Sequence, residues 1–160
     1  MVPSDISSVF KDMSRVVIVG VGSEFRGDDA AGVFVARNLK KSVKSPNVLI
    51  IEAGVAPENF TSEIRKFKPS HIILIDAADF EAEPGTFIFT DSSAAIGQSI
   101  STHKLPLSIL SNYLHNQTSA KVLLIGIQPA GAGLGSEMCK EVKNAVDDVT
   151  EVLAKNMRSL

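Results

Sequence analysis

This chain of 160 residues predicts an α/β fold: three α/β/α layers, with a mostly parallel twisted sheet of about five strands and helices on both faces. Three observations predict it. First, brief apolar runs recur, Val16–Val19, Val48–Ile51, Ile72–Ile75 and Val122–Ile127. They are too short for helices and rich in β-branched residues, as strands buried on both faces require. Second, the stretches between them carry apolar residues at helical spacing, and strands alternating with helices give a parallel sheet. Third, the first run passes through Gly20-Val-Gly22 and Gly27-Asp-Asp29 directly into a helix. A strand, a glycine turn and a helix start mark a ligand site at the carboxyl edge of such a sheet.

The elements follow in order. Ile6, Val9, Phe10 and Met13 place a short helix over Ser4–Met13. After the first strand, a helix from Asp29 to about Lys41 turns Ala30, Val33, Phe34 and Leu39 inward. Gly32 in its first turn has no propensity reason to be there, so close approach of helix backbone to strand is expected. Ser45-Pro46-Asn47 breaks the chain before the second strand, which ends in Glu52-Ala-Gly54. Pro57 opens a helix bearing Phe60, Ile64 and Phe67 on one face, and Lys68-Pro69-Ser70 stops it. The third strand, His71–Asp76, leads to Asp76-Ala-Ala-Asp79, and Glu83-Pro84-Gly85 turns into an edge strand over Thr86–Thr90, read as antiparallel. A loosely apolar connection, Ser92–Ser101, precedes Thr102-His103-Lys104-Leu105-Pro106. Pro106 opens a helix with Leu107, Leu110 and Leu114 inward, the last strand follows, and Gln128-Pro129 begins a glycine-rich loop. The final helix carries Met138, Val142, Val146, Val149 and Leu153, with Cys139 inside it. One domain over 1–160 is expected, with 1–14 as a short appended helix.

Composition narrows the function. The hydrophobic fraction is 44%, which excludes a disordered chain. A net charge of −2 with no basic block leaves no electrostatic footprint for nucleic acid or an anionic membrane. A lone cysteine suits a reducing compartment, and no apolar run reaches membrane-spanning length, so a cytoplasmic protein without membrane insertion is expected.

The first loop is unsuited to a phosphate. Phe25 stands where a dinucleotide fingerprint needs its third glycine, and Glu24, Asp28 and Asp29 oppose an anion, with Arg26 offsetting one charge. A cation fits better. Asp is also a favoured helix cap. Asp28 is read as that cap, and Asp29 stands evenly between capping and site chemistry. In a parallel sheet the strand exits share one rim. That rim collects Asp28 and Asp29 after the first strand, Glu52 after the second, Asp76 and Asp79 after the third, and Gln128 after the last. Asp29 and Asp76 flank the usual switch point, and His103 lies in a loop of the same rim. Two carboxylates and an imidazole suit nickel, zinc or another divalent transition metal. His71, at a strand start, belongs to the opposite rim; His115 sits at a helix end; Cys139 has no partner of a nucleophile; Glu52 reads as a cleft wall or hydrogen-bond acceptor.

Gly20-Val-Gly-Ser-Glu-Phe-Arg-Gly-Asp-Asp-Ala-Ala-Gly32 resembles the first motif of the [NiFe]-hydrogenase maturation endopeptidases. Ile75-Asp-Ala-Ala-Asp79, Ser101-Thr-His-Lys-Leu-Pro106 and Ile125-Gly-Ile-Gln-Pro129 resemble the later motifs in order, and Ala56-Pro-Glu-Asn59 resembles the branch serving formate-hydrogenlyase-type (hydrogenase 3) enzymes. Ser23 and Ala30 depart from the asparagine and glycine common there. The resemblance implies an aspartic-type endopeptidase that removes a C-terminal extension from a hydrogenase large-subunit precursor after nickel insertion. It places both the catalytic and the nickel-contacting roles on Asp29, Asp76 and His103. Nickel then arrives in the substrate, although other divalent cations can occupy the site in isolation, and a monomer is expected. The Gly131–Gly135 loop and the Ser92–Ser101 connection are the surfaces expected to grip the precursor. The competing readings are a nucleotide-binding α/β domain and a non-enzymatic nickel-binding maturation chaperone.

Overall fold

The computed structural model describes residues 6–91, 107–131, 133 and 135–160. Five strands form one sheet: β1 (Val16–Val21), β2 (Val48–Gly54), β3 (His71–Ala77), β4 (Phe87–Asp91) and β5 (Lys121–Ile127), in the order β2-β1-β3-β5-β4. β1 pairs in parallel with β2 and β3, and β3 with β5. β4 is the antiparallel edge, Phe87 opposite Ile127 and Asp91 opposite Leu123. The expected fold class is therefore the one observed.

Side chains alternate across the sheet and divide the interior in two. Val16, Ile18, Ile73, Ile75 and Ile125 face α2 (Ala31–Ser42) and the long C-terminal α5 (Lys140–Met157). Val17, Val19, Ile72, Leu74 and Val122 face α3 (Thr61–Phe67) and α4 (Leu107–Thr118). Every residue of β1 and β3 is buried. That accounts for their unbroken apolar sequence, because neither face of these strands meets water.

Several boundaries differ from expectation for local reasons. The first helix, α1, spans Ile6–Val9, and Asp12 at φ 65° adopts a conformation that ends helical continuation toward Met13. The helix expected from Asp29 begins instead as a tight turn, Gly27–Ala30, with Gly27 at φ 54°, before α2 proper. Pro57 likewise opens a tight turn, Pro57–Phe60, ahead of α3. Lys68, left-handed at φ 54° just before Pro69, closes α3. Cys139 is not inside the last helix but caps its start, and Met138 precedes it. His103, the Ser92–Ser101 connection and Pro106 lie outside the described residues.

Candidate functional site at the carboxyl rim

The strand order makes the rim. From β1 the chain moves outward to β2, then crosses back to β3 on the other side of β1, so the switch point lies between the exits of β1 and β3. Asp29 follows one exit and Asp76 is the penultimate residue of the other. Their exposures are 4% and 1%. The Gly27–Ala30 turn packs against β3, bringing the two acids to the same rim.

Gly32 allows this approach. A Cβ there would collide with the carbonyl oxygens of both Ile75 and Val21, near the carboxyl ends of β3 and β1. The expected close contact of helix and strand is thus real, and it involves both strands. A Cβ on Gly20 would in turn strike the Gly32 carbonyl and Ala36. Only a bare backbone seats the start of α2 in the crevice. The Ser23 N–H donates to Asp29 Oδ2 at 3.0 Å and fixes that carboxylate's orientation.

Asp28 behaves differently from its neighbour. It is 2% exposed and does not cap the turn that contains it. Its Oδ2 accepts from the N–H groups of Ala130 (2.8 Å) and Gly131 (3.0 Å), and its Oδ1 accepts from Cys139 N–H (2.8 Å). Burial pushes its carboxyl up, but the N–H donors of Cys139, Gly131 and Ala130 outweigh that and hold it below the usual carboxylate range. The expectation of a local cap is corrected: the partners lie more than a hundred residues away.

The other candidates divide cleanly. Glu52 accepts from Arg37 Nε at 2.9 Å and Lys40 Nζ at 3.1 Å, as its reading as an acceptor requires. Arg37 also bonds Glu24 at 2.7 Å. Together with Ser23, Phe25, Val33 and Val55, Glu52 and Arg37 line a groove of about 360 Å³ beside the Asp29 loop. Asp79 is exposed and serves a turn, accepting from Glu81 N–H at 3.0 Å. Buried Gln128 is a cross-link that sequence reasoning left without a role. Its Oε1 accepts from Phe80 N–H (2.8 Å) and Ala82 N–H (3.2 Å), and its Nε2 donates to Asp79 Oδ1 (3.2 Å). The signals for it were its place after the last strand and its membership of the Ile125-Gly-Ile-Gln-Pro129 motif. His71 sits at the opposite rim, hydrogen-bonded to Ser70 Oγ at 2.9 Å. His115 Nδ1 pairs with the Ala120 carbonyl at 2.8 Å. Burial, with Asp28 nearby, pushes the half-buried Cys139 thiol up, so it is no thiolate nucleophile.

Among the described residues no group of three metal-binding side chains forms, so the described part of the rim supplies two carboxylates. Carboxylate oxygens are ligands that suit a divalent cation.

Comparison with known proteins decides the family. The profile of the HycI hydrogenase maturation proteases matches residues 33–156. This chain belongs to the hydrogenase maturation proteases. The hydrogenase 3 maturation protease of Escherichia coli K12 is 33% identical over 138 residues, 86% of this chain and 87% of that protein. The crystal structure of the [NiFe] hydrogenase maturation protease HycI from Thermococcus kodakarensis superposes with a TM-score of 0.89 at 40% identity, covering 96% and 98% of the two chains. The E. coli endopeptidase HybD, at 22% identity and a TM-score of 0.76 over 91% and 93%, shares the fold. The family match favours the protease reading over that of a nucleotide-binding α/β domain. No helix among the described residues is long and apolar enough to cross a membrane.

Proposed function

We propose that this maturation protease removes the C-terminal extension of a [NiFe]-hydrogenase large-subunit precursor, and that it recognises the nickel already inserted there through Asp29, Asp76 and His103. The observation that carries this reading is the burial of two carboxylates at the exits of adjacent parallel strands, on the switch-point rim of a maturation protease. The nickel is cargo of the substrate. Two acids and an imidazole leave positions open on such an ion, so they cap a metal already held by the precursor. Gripping it tethers the scissile segment beside the rim, and proximity of this kind supplies a large part of a hydrolytic rate. The aspartic-type chemistry assigns one carboxylate of the pair as general base toward the attacking water. Ser23 N–H, through Asp29 Oδ2, keeps that carboxylate aimed. The cytoplasm is the proposed compartment, in keeping with the lone cysteine.

The test is incubation of a large-subunit precursor with the protein, with and without nickel, followed by intact mass. Trimming is expected only with nickel, and Asp29→Ala, Asp76→Ala and His103→Ala are each expected to lose it while melting cooperatively. Trimming of the nickel-loaded precursor at near wild-type rate by all three variants would sink the assignment. Nickel retention without any trimming would favour a chaperone instead.

A further inference from the structure

We infer that the described residues leaving β5, 127–131, 133 and 135–139, form a bracket that holds in place the turn bearing Asp29 and the loop after the strand bearing Asp76, with Asp28 and Gln128 as its positioning residues. The inference rests on the reading of Asp29 and Asp76 as the metal-contacting pair. The observations are geometric. One end of the segment is fastened to the loop after β3: Gln128, 6% exposed, receives Phe80 and Ala82 N–H and donates to Asp79. Ala78 N–H adds a bond to the Ile127 carbonyl at 3.0 Å. The middle and far end are fastened to the loop after β1: Ala130, Gly131 and Cys139 all donate to Asp28. Asp28 N–H returns a bond to the Gly131 carbonyl at 3.3 Å, and Gly135 N–H donates to the Phe25 carbonyl at 2.8 Å. Gly27, left-handed and without Cβ, makes room for Ser136 against the same loop.

The turn that carries Asp28 and the loop that follows β3, the strand that carries Asp76, therefore share a third loop as anchor. A buried carboxylate is costly unless it is hydrogen-bonded, and Asp28 accepts three N–H bonds from the bracket's backbone. Asp29 is the next residue. Any shift of Asp28 is passed to it through one peptide, and a misplacement of about 1 Å in a reacting constellation can cost on the order of a hundredfold in rate. Gln128 does the same for the loop after Asp76.

The test compares Asp28→Ala, Asp28→Asn, Gln128→Ala and Asp76→Ala in trimming of a nickel-loaded precursor, with amide exchange on the protein alone. Asp28→Ala is expected to lower kcat by about ten- to a hundredfold with KM within about twofold of wild type. Asp28→Asn, which keeps an acceptor for Ala130 and Gly131 but opposes Cys139 N–H with its own donor, should recover part of that loss. Gln128→Ala should lower kcat severalfold. Exchange should quicken in residues 22–30 of Asp28→Ala while β1 and α2 stay protected. A contact that served only stability would lower the melting midpoint and leave kcat of the folded enzyme unchanged. Wild-type kcat in folded Asp28→Ala, or unaltered exchange in residues 22–30, overturns the bracket while Asp76→Ala remains inactive. Should Asp28→Ala not fold, wild-type kcat in both Asp28→Asn and Gln128→Ala overturns it. Normal trimming by Asp76→Ala overturns the metal reading, and the bracket falls with it.

Discussion

Asp28 and Asp29 are chemically identical neighbours in one tight turn, and their surroundings give them unlike work. Asp28 is enclosed by three N–H groups from a distant loop, whereas Asp29 accepts from Ser23 of its own loop. A residue's type and its neighbours in the chain cannot separate these roles, because the deciding donors come from residues 130 to 139. Hydrogen bonds between remote backbone and a side chain leave no periodicity to read. Gly32 is the opposite case: its poor helix propensity in a first turn already pointed to a crowded backbone, and the crowding is against both Ile75 and Val21. Gly32→Ala should therefore destabilise where Gly→Ala in an open helix would stabilise. Overpacking of this kind costs about 1–3 kcal/mol, and the thermal midpoint of a chain this size should fall by roughly 2–4 °C for each of these. A midpoint at or above wild type would show that α2 can withdraw from the strands.

At the scale of elements, the strands were the most legible part of the chain. Burial on both faces forces an apolar run with β-branched residues, and β1, β3 and β5 have it. Helix starts were the least legible. Gly27–Ala30 and Pro57–Phe60 are tight turns that spacing alone does not distinguish from a first α-turn. The C-terminal helix begins only after extended Cys139, and α1 stops at Val9, ahead of left-handed Asp12. One surface link joins elements by charge: Arg37 of α2 bridges Glu52 of β2 and Glu24 of the first loop. Its side chain is 38% exposed, so solvent screens both pairs. Arg37→Ala should change unfolding free energy by less than about 1 kcal/mol in denaturant titration, and the effect should shrink further in high salt.

For the whole molecule, sheet order decides where chemistry can gather, and one rim collects the acids while the other holds His71. Burial first, and then Lys121, lower the His71 pKa from its ordinary value. The unfolded chain consequently binds this proton at a higher pH than the folded one. Stability is complete above the ordinary histidine range, near pH 6.5, and declines as pH falls from there through the lower folded value. The slope from a single site cannot exceed about 1.4 kcal/mol per pH unit. Urea midpoints of wild type should fall between pH 7 and 5, and His71→Gln should flatten that decline; equal slopes would remove His71 as its source. The rim and the acids it collects were readable from topology, since alternating strands and helices permit few arrangements. The bonds that tie the three loops together were not, because they depend on how far each loop reaches after leaving its strand.

The chain has no tryptophan and a single tyrosine, Tyr113, which lies on α4, an element that does not border the groove beside Asp29. Phe25, at 67% exposure, stands on the lip of that groove. The protein is therefore almost dark under ultraviolet excitation, and Phe25→Trp would install a lone indole on the lip of that groove. A change in its colour or brightness on adding a precursor would show contact at this lip, separately from any cut.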